Sequence, residues 1–312
     1  MRVVFIGTGE IGAPTLHALL RSKEHQLAAV VTQPNKPAGR DQRIKPPPIK
    51  KALAGAKIPT LQPARIKDRQ SIEEISALAP EVIVVMAYGQ ILPQGVLGIP
   101  RVACLNLHAS LLPRHRGAAP IQTAIASGDF ETGITVMYMD EGLDTGDILL
   151  QRKIDILPTD TGGSLHDRLA QIAPDALLES LQLLGKKIAP RVPQNNTLAT
   201  YAPKLNRDDG KIDWAERAEV IERKVRAFNP WPGAFTTVAA KLGKPRNLKI
   251  FSASIVDLAA EPGEILQTEE QGLVIAASDR ALSLEEVQPE GKRRMTSAEF
   301  LRGFDVASAP CR

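Results

Sequence analysis

The chain has 312 residues and a formal net charge of +4, with 43% hydrophobic and 24% charged residues; that is length for two separate cores and the composition of an ordinary soluble globular protein. No apolar run nears the roughly 20 residues that span a bilayer, no signal-peptide pattern precedes the first strand, and Cys104 and Cys311 form no metal-ligand or Cys-x-x-Cys pattern. The expectation is a cytoplasmic protein with no membrane partner, no disulfide and no bound metal.

The chain opens on a strand, Val3–Ile6, a glycine turn spelled GTGEIG (Gly7–Gly12), and a helix, Ile11–Ser22, with Leu16, Leu19 and Leu20 at helical spacing. G-x-G-x-x-G after a strand is the spelling of a dinucleotide-binding turn, but that use needs an acid about 20 residues on to hold the ribose. The next strand, Leu27–Thr32, ends in Thr32-Gln33. The glycines therefore read as a tight strand-to-helix turn, and no NAD is expected.

The segment from Gln33 to Lys51 holds Lys36, Arg40, Arg43, Lys45, Lys50 and Lys51 against Asp41 alone. The rest of the chain is then slightly acidic. Connections in such folds usually run about 2–6 residues, so this one reads as a functional insertion. It is either a solvated loop or a clamp for a polyanion such as RNA. Its prolines limit the entropy lost on ordering and favour the clamp.

Strands Val82–Met86 and Ala103–His108 follow, with helices Lys50–Lys57, Ser71–Leu78 and Ala119–Ser127 interspersed. The alternation predicts an α/β fold, a mostly parallel sheet with helices on both faces. Two neighbouring strands, Ile134–Asp140 and Asp147–Ile156, flank a short acidic loop. A long helix, Gly163–Leu184, carries apolar residues at three- and four-residue steps and stops at Gly185. Ala189–Gly210, rich in Pro and Asn, reads as a linker. A helix, Ala218–Phe228, precedes short alternating runs that predict a small antiparallel barrel, and SAEFLRGF makes a last short helix.

Chemistry concentrates in ACLNLHASLLPRHRGAAPIQ, Ala103 to Gln122. Strand alternation points Asn106 and His108 to one face, at the carboxyl edge where open α/β sheets bind ligands. An amide and an imidazole side by side suit acyl-type transfer: the amide donates to a developing oxyanion, and the imidazole moves a proton or adds a second donor. In DEGLDTGDI, Asp140 to Ile148, four carboxylates crowd a turn whose spacing fits no calcium loop. The loop is a solvated acidic turn or supplies an acid to His108, and spacing does not say which acid.

Together, Asn106-Leu-His108, SLLPRHRGAAPIQ and DEGLDTGDI resemble the folate-dependent formyltransferases. TQPNKPAGR, YAPKL with DGKIDW, FNPWPGAF and QPEGKRRM extend the likeness end to end, to the members that formylate methionine charged on initiator tRNA. The resemblance implies a Rossmann-like catalytic domain (1–188), a linker (189–206) and an OB-like antiparallel β-barrel that binds tRNA (207–312). It implies 10-formyltetrahydrofolate as formyl donor, initiator methionyl-tRNA as acceptor, and no metal; a monomer is expected. It assigns Asn106, His108 and Asp144 as the catalytic trio. Ser110, Leu111, Leu112 and Pro113 would hold folate, and the MAYGQILP loop with Met86, Tyr88 and Gly89 would line the same pocket. Lys36, Arg40, Arg43 and Lys45 would approach tRNA. His115 stands where the family often has an aromatic. Arg114 and Arg116 would contact folate carboxylates or RNA phosphate, or form a salt-bridged surface turn; Gly291–Met295, GKRRM, is a second basic segment compatible with RNA or with a solvated turn. The alternative within the family is an amino-sugar-nucleotide formyltransferase, which shares the trio but has no need of the basic insertion.

Overall fold

The computed structural model describes residues 1–38, 42–239, 245–268, 272–304 and 311. In chain order the strands of the N-terminal half are β1 (Arg2–Gly7), β2 (Gln26–Val31), β3 (Lys36–Ala38), β4 (Arg43–Lys45), β5 (Thr60–Leu61), β6 (Val82–Met86), β7 (Ala103–His108), β8 (Arg116–Gly117), β9 (Glu131–Tyr138), β10 (Ile148–Asp155) and β11 (Tyr201–Ala202). The main sheet runs β10-β9-β7-β6-β1-β2-β5. Its β7-β6-β1-β2-β5 part is parallel, and β9 and β10 close one edge antiparallel. Val3 to Ile6 and Val82 to Val84 have no exposed surface, as strands covered on both faces require.

The helices are α1 (Ala13–Arg21), α2 (Pro48–Ala52), α3 (Arg69–Ala77), α4 (Gln94–Leu97), α5 (Pro120–Ser127) and α6 (Gly162–Gly185). α1 starts later than its periodicity suggests, because Glu10–Gly12 form a 3-10 turn and Pro14 sits in the first α-helical turn. α2 is one short turn, not the longer helix expected. β5 was not foreseen, since two paired residues leave no periodicity to read. Within the basic insertion β3 pairs antiparallel with β4.

The order of strands reverses between β1 and β6, and such switch points are where open sheets form ligand crevices. The glycine turn lies here. The amides of Thr8 and Gly9 both donate to the Ala87 carbonyl, at 3.2 and 3.1 Å. A Cβ on Gly7 would stand 2.8 Å from the Met86 carbonyl oxygen. The turn's amides are thus committed to the loop after β6, and its first glycine permits close packing against that loop.

By compactness the chain divides into Met1–Pro120, Glu131–Asp155 and His166–Ala202 as one unit, and Ile121–Phe130, Ile156–Leu165 and Pro203–Arg312 as the other. The second unit carries α7 (Ala218–Ala227), β12 (Ala234–Val238), β13 (Arg246–Val256), β14 (Ile265–Thr268), β15 (Gly272–Ala276), β16 (Ala281–Pro289), β17 (Met295–Thr296) and α8 (Ser297–Gly303). Its antiparallel sheet, β12-β13-β16-β15-β14 with β17 on β16, curls into a half-barrel. The core beneath holds Trp214, Ile221, Val225, Leu248, Leu284 and Phe300. Trp214 donates its indole N–H to Thr236 Oγ1 at 2.9 Å, which satisfies the one polar atom that burial of the ring would otherwise orphan.

Tyr88 is buried within an apolar cluster that includes Ile6, Val31, Ile83 and Val85. Its hydroxyl has no hydrogen-bond partner among the described residues, and burial pushes its pKa up to about 12. A buried donor without a partner costs about 1–3 kcal/mol. Tyr88→Phe is therefore expected to leave stability unchanged or raised in denaturant unfolding. A loss of more than about 1 kcal/mol would mean that the hydroxyl has a partner.

Candidate active site

Strand β7 ends on Asn106 and His108, whose side chains share one face. The loop between β9 and β10 brings Asp144 to them. Asn106 Nδ2 donates to Asp144 Oδ1 at 3.3 Å, and His108 Nδ1 stands 3.6 Å from Asp144 Oδ2. The Gly117 amide donates to the same Oδ2 at 2.9 Å. The His108 and Asp144 side chains are 7% and 11% exposed, so their interaction is little screened by solvent. Asp144 adopts φ 54°, a left-handed conformation uncommon outside glycine.

The structure separates the four acids of this loop, which spacing could not. Asp140 accepts from the Gly142 amide and the Thr145 hydroxyl and so ties the turn to itself. Asp147 faces the Arg191 guanidinium at 3.9 Å, and Glu141 is exposed. Asp144 alone of the four meets the imidazole. A Cβ on Gly146 would lie 1.7 Å from the Tyr138 carbonyl oxygen, so only glycine lets the loop return this closely to β9.

The His108 ring is fixed from its other side. Nε2 lies 2.9 Å from the His115 carbonyl oxygen. A carbonyl only accepts, so Nε2 carries hydrogen there and Nδ1 is left facing Asp144. His115 is buried, with φ 57°. Its amide donates to Thr200 Oγ1 at 2.8 Å. What His115 offers the site is a backbone carbonyl, a role that no side-chain motif announces.

The segment expected to hold folate is a braced loop. Ser110 Oγ donates to the Arg114 carbonyl at 2.6 Å. Thr135 Oγ1 donates to the Ser110 carbonyl and accepts from the Leu112 amide, and Gln151 Nε2 donates to the Leu112 carbonyl. Leu112 is buried, while Leu111 and Pro113 are half-exposed. Val85 pairs with Asn106, so the Met86–Gly89 turn leaves the sheet beside the strand end that bears His108. Met86 and Tyr88 are buried there, and the Tyr88 carbonyl accepts from Thr8 Oγ1 and Gln33 Nε2. Gly89 takes φ 83°.

Arg116 has its partners within the chain. Its guanidinium donates to Gln194 Oε1 and Asn196 Oδ1, two neutral amides, and so makes no salt bridge in these contacts. Arg114 is exposed. In the basic hairpin Lys36 pairs directly across from Lys45, and Ala38 from Arg43. Arg40 lies outside the described residues. In the second basic segment Arg293 pairs with Glu299 at 2.8 Å, and Arg294 pairs with Glu286 and lies over the Phe251 ring. Its charge is therefore partly balanced within the chain.

Burial pushes the thiols of Cys104 and Cys311 up to about 12, which leaves neither as a ready nucleophile. Among the described residues no cluster of three or more His, Cys, Asp or Glu side chains could hold a metal, and no helix is long and apolar enough to cross a membrane.

The family described as "Formyl transferase" matches residues 1–181, and the one described as "Formyl transferase, C-terminal domain" matches residues 204–305. A protein of Geobacter sulfurreducens named methionyl-tRNA formyltransferase is 44% identical over 306 residues, covering 97% of this chain and 94% of its own. One of the same name from Akkermansia muciniphila is 47% identical over 305 residues, covering 97% and 96%. The crystal structure of HypX from Aquifex aeolicus in complex with tetrahydrofolic acid superposes with a TM-score of 0.63 at 20% identity, over 96% of this chain and 47% of HypX; that likeness is one of fold. On these matches the chain belongs to the formyl transferase family.

Proposed function

We propose that this chain transfers a formyl group from 10-formyltetrahydrofolate to the amino group of methionine charged on initiator tRNA. Full-length identity of 44% and 47% to proteins named for that reaction supports the reading. The observation that carries the chemistry is the meeting of Asn106 and His108 at one carboxylate, Asp144. Residues 1–188 serve as the catalytic domain, 189–206 as the linker and 207–312 as the tRNA-binding domain. On this reading the enzyme works in the cytoplasm as a monomer.

An α-amine titrates near 7.7–8.0, and esterification of the neighbouring carboxyl lowers that, so roughly half or more is neutral at working pH. The site need not create a strong base. It must stabilise negative charge as the amine nitrogen bonds to the formyl carbon, and remove the proton that the nitrogen then sheds. One Nδ2 hydrogen of Asn106 faces Asp144, which leaves the other to donate to the developing oxyanion. His108 Nδ1, with Nε2 held on the His115 carbonyl, accepts the proton. Asp144 then lies against the charged ring and balances it. As the formyl carbon parts from the folate nitrogen, that nitrogen takes up a proton and the oxyanion returns to a carbonyl. Ser110, Leu111, Leu112 and Pro113, with Met86, Tyr88 and Gly89, form the folate-binding wall. The Tyr88 side chain points into the core, so its part there is played by backbone.

Lys36, Arg40, Arg43 and Lys45 bind tRNA. Like charges directly across a strand pair destabilise it, and the Lys36–Lys45 pairing has that cost until a polyanion offsets it. An amino-sugar nucleotide would be a poor match for so extended a basic element.

Two outcomes test this reading. Asn106→Ala is expected to fold normally and lose about 10²–10³ in kcat, the effect of removing one oxyanion donor. Near-normal turnover by the folded variant would remove Asn106 from the mechanism. Replacing Lys36, Arg43 and Lys45 by Gln is expected to raise KM for methionyl-tRNA and to flatten its dependence on salt by up to about 2–3 in log–log slope. An unchanged slope, or efficient formylation of an amino-sugar nucleotide by the parent enzyme, would refute the tRNA assignment.

A further inference from the structure

The geometry points to Gln194, in the linker, as a positioning residue that locks Asp144 and the His115–Gly117 turn into one catalytic arrangement; this rests on the formyl-transfer reading of Asn106, His108 and Asp144. The amide of Gln194 is fully used. Nε2 donates to the Asp144 carbonyl at 2.9 Å and to the Gly146 carbonyl at 2.8 Å. Oε1 accepts from Arg116 Nε at 3.1 Å and Nη2 at 2.7 Å. One side chain thus joins the loop bearing the catalytic acid to the turn whose carbonyl orients His108.

The segment that carries Gln194 is itself pinned at both ends. Val192 exchanges backbone hydrogen bonds with Ile148, at 2.8 and 3.0 Å. Downstream, β11 pairs in parallel with β8, the Arg116 amide donates to the Thr200 carbonyl, and the Ala118 amide donates to the Ala202 carbonyl. Gln194 therefore has a fixed backbone from which to hold the two loops.

Both loops need holding. Asp144 and His115 each occupy the left-handed region, at φ 54° and 57°, which a non-glycine residue keeps only where its surroundings impose it. Gln194 grips Asp144 by its carbonyl, and Thr200 grips His115 by its amide. If Asp144 relaxes, its carboxylate leaves Nδ1 of His108, while the substrate-facing surfaces of the pocket remain. Gln194 then affects the chemical step and leaves binding alone.

The test is a double-mutant cycle on turnover with 10-formyltetrahydrofolate and methionyl-tRNA. Gln194→Leu keeps the volume and removes all four hydrogen bonds. Gln194→Glu keeps the acceptor for Arg116 but puts an oxygen where Nε2 donated, so it isolates the grip on Asp144. Each variant is expected to lose about ten- to a hundredfold in kcat, with KM for both substrates within about threefold of the parent and a cooperative melting transition retained, lowered by no more than several degrees for the lost hydrogen bonds. In an Asp144→Asn background, itself slow, either substitution is expected to add less than about twofold, because the acid it positions is gone. Turnover within about twofold of the parent for both variants overturns the proposal. So does an undiminished effect in the Asp144→Asn background, which would mark a merely structural role. If Asp144→Asn alone turns over at the parental rate, the reading of the catalytic trio fails instead, and the role of Gln194 falls with it.

Discussion

The carboxylate of Asp144 is where separate pieces of the chain are made to agree. Its Oδ1 accepts from Asn106 on β7, and its Oδ2 accepts from the Gly117 amide and faces His108. A buried carboxylate needs such partners, because the loss of hydration must be offset by hydrogen bonds and charge. The requirement works in both directions. The acid is held by Asn106 and Gly117 and faces His108, and those groups take their orientation from the acid. One amide hydrogen of Asn106 is fixed on Oδ1, which sets where the other can point. One ring nitrogen of His108 faces Oδ2 while the other is fixed on the His115 carbonyl. Little freedom remains in the trio, which is the condition for preorganised electrostatic catalysis.

The sheet explains why this convergence is possible. Parallel strands end together on one edge, and β6 and β7 bring the Met86–Gly89 turn and the Asn106–His108 pair to that edge side by side. The antiparallel strands β9 and β10 then lay their connecting loop over β7. Leu105 pairs with Tyr138 at the start of that loop, so the distance from β7 to the acid is set by strand spacing and a short turn. The basic hairpin obeys a different logic. It sets Lys36 directly across from Lys45, a like-charge pairing that costs the strand pair some stability.

Much of this was legible in the sequence. The α/β alternation, the common face of Asn106 and His108, and the missing ribose acid after the glycine turn all follow from period and spacing. The glycine turn is informative in hindsight too: its amides serve the Ala87 carbonyl, so the same spelling meets a packing need. What the sequence hid were roles carried by backbone or by distant residues. Spacing could not choose among Asp140, Glu141, Asp144 and Asp147, because the choice is made by which carbonyls and amides the folded turn satisfies. The Ser110 hydroxyl also braces its own loop, donating to the Arg114 carbonyl, which its place in the sequence does not announce. Arg116 looks like a free cation, yet it is held by two amides some 80 residues along the chain.

Backbone conformation completes the picture. Ala87, His115 and Asp144 are all non-glycine residues in the left-handed region, at φ 48°, 57° and 54°, and each has a carbonyl that accepts a hydrogen bond. Ala87 accepts from the glycine turn, His115 from His108, and Asp144 from Gln194. Each such residue costs of order 1–3 kcal/mol when its neighbours do not enforce it. Glycine would relieve that cost, but it would also widen the conformations open to the turn. At His115 and Asp144 such freedom would act on the groups that orient the imidazole and balance its charge. A side chain that resists the conformation, held in it by fixed partners, leaves the loop one arrangement, and the precision of the site comes from that opposition.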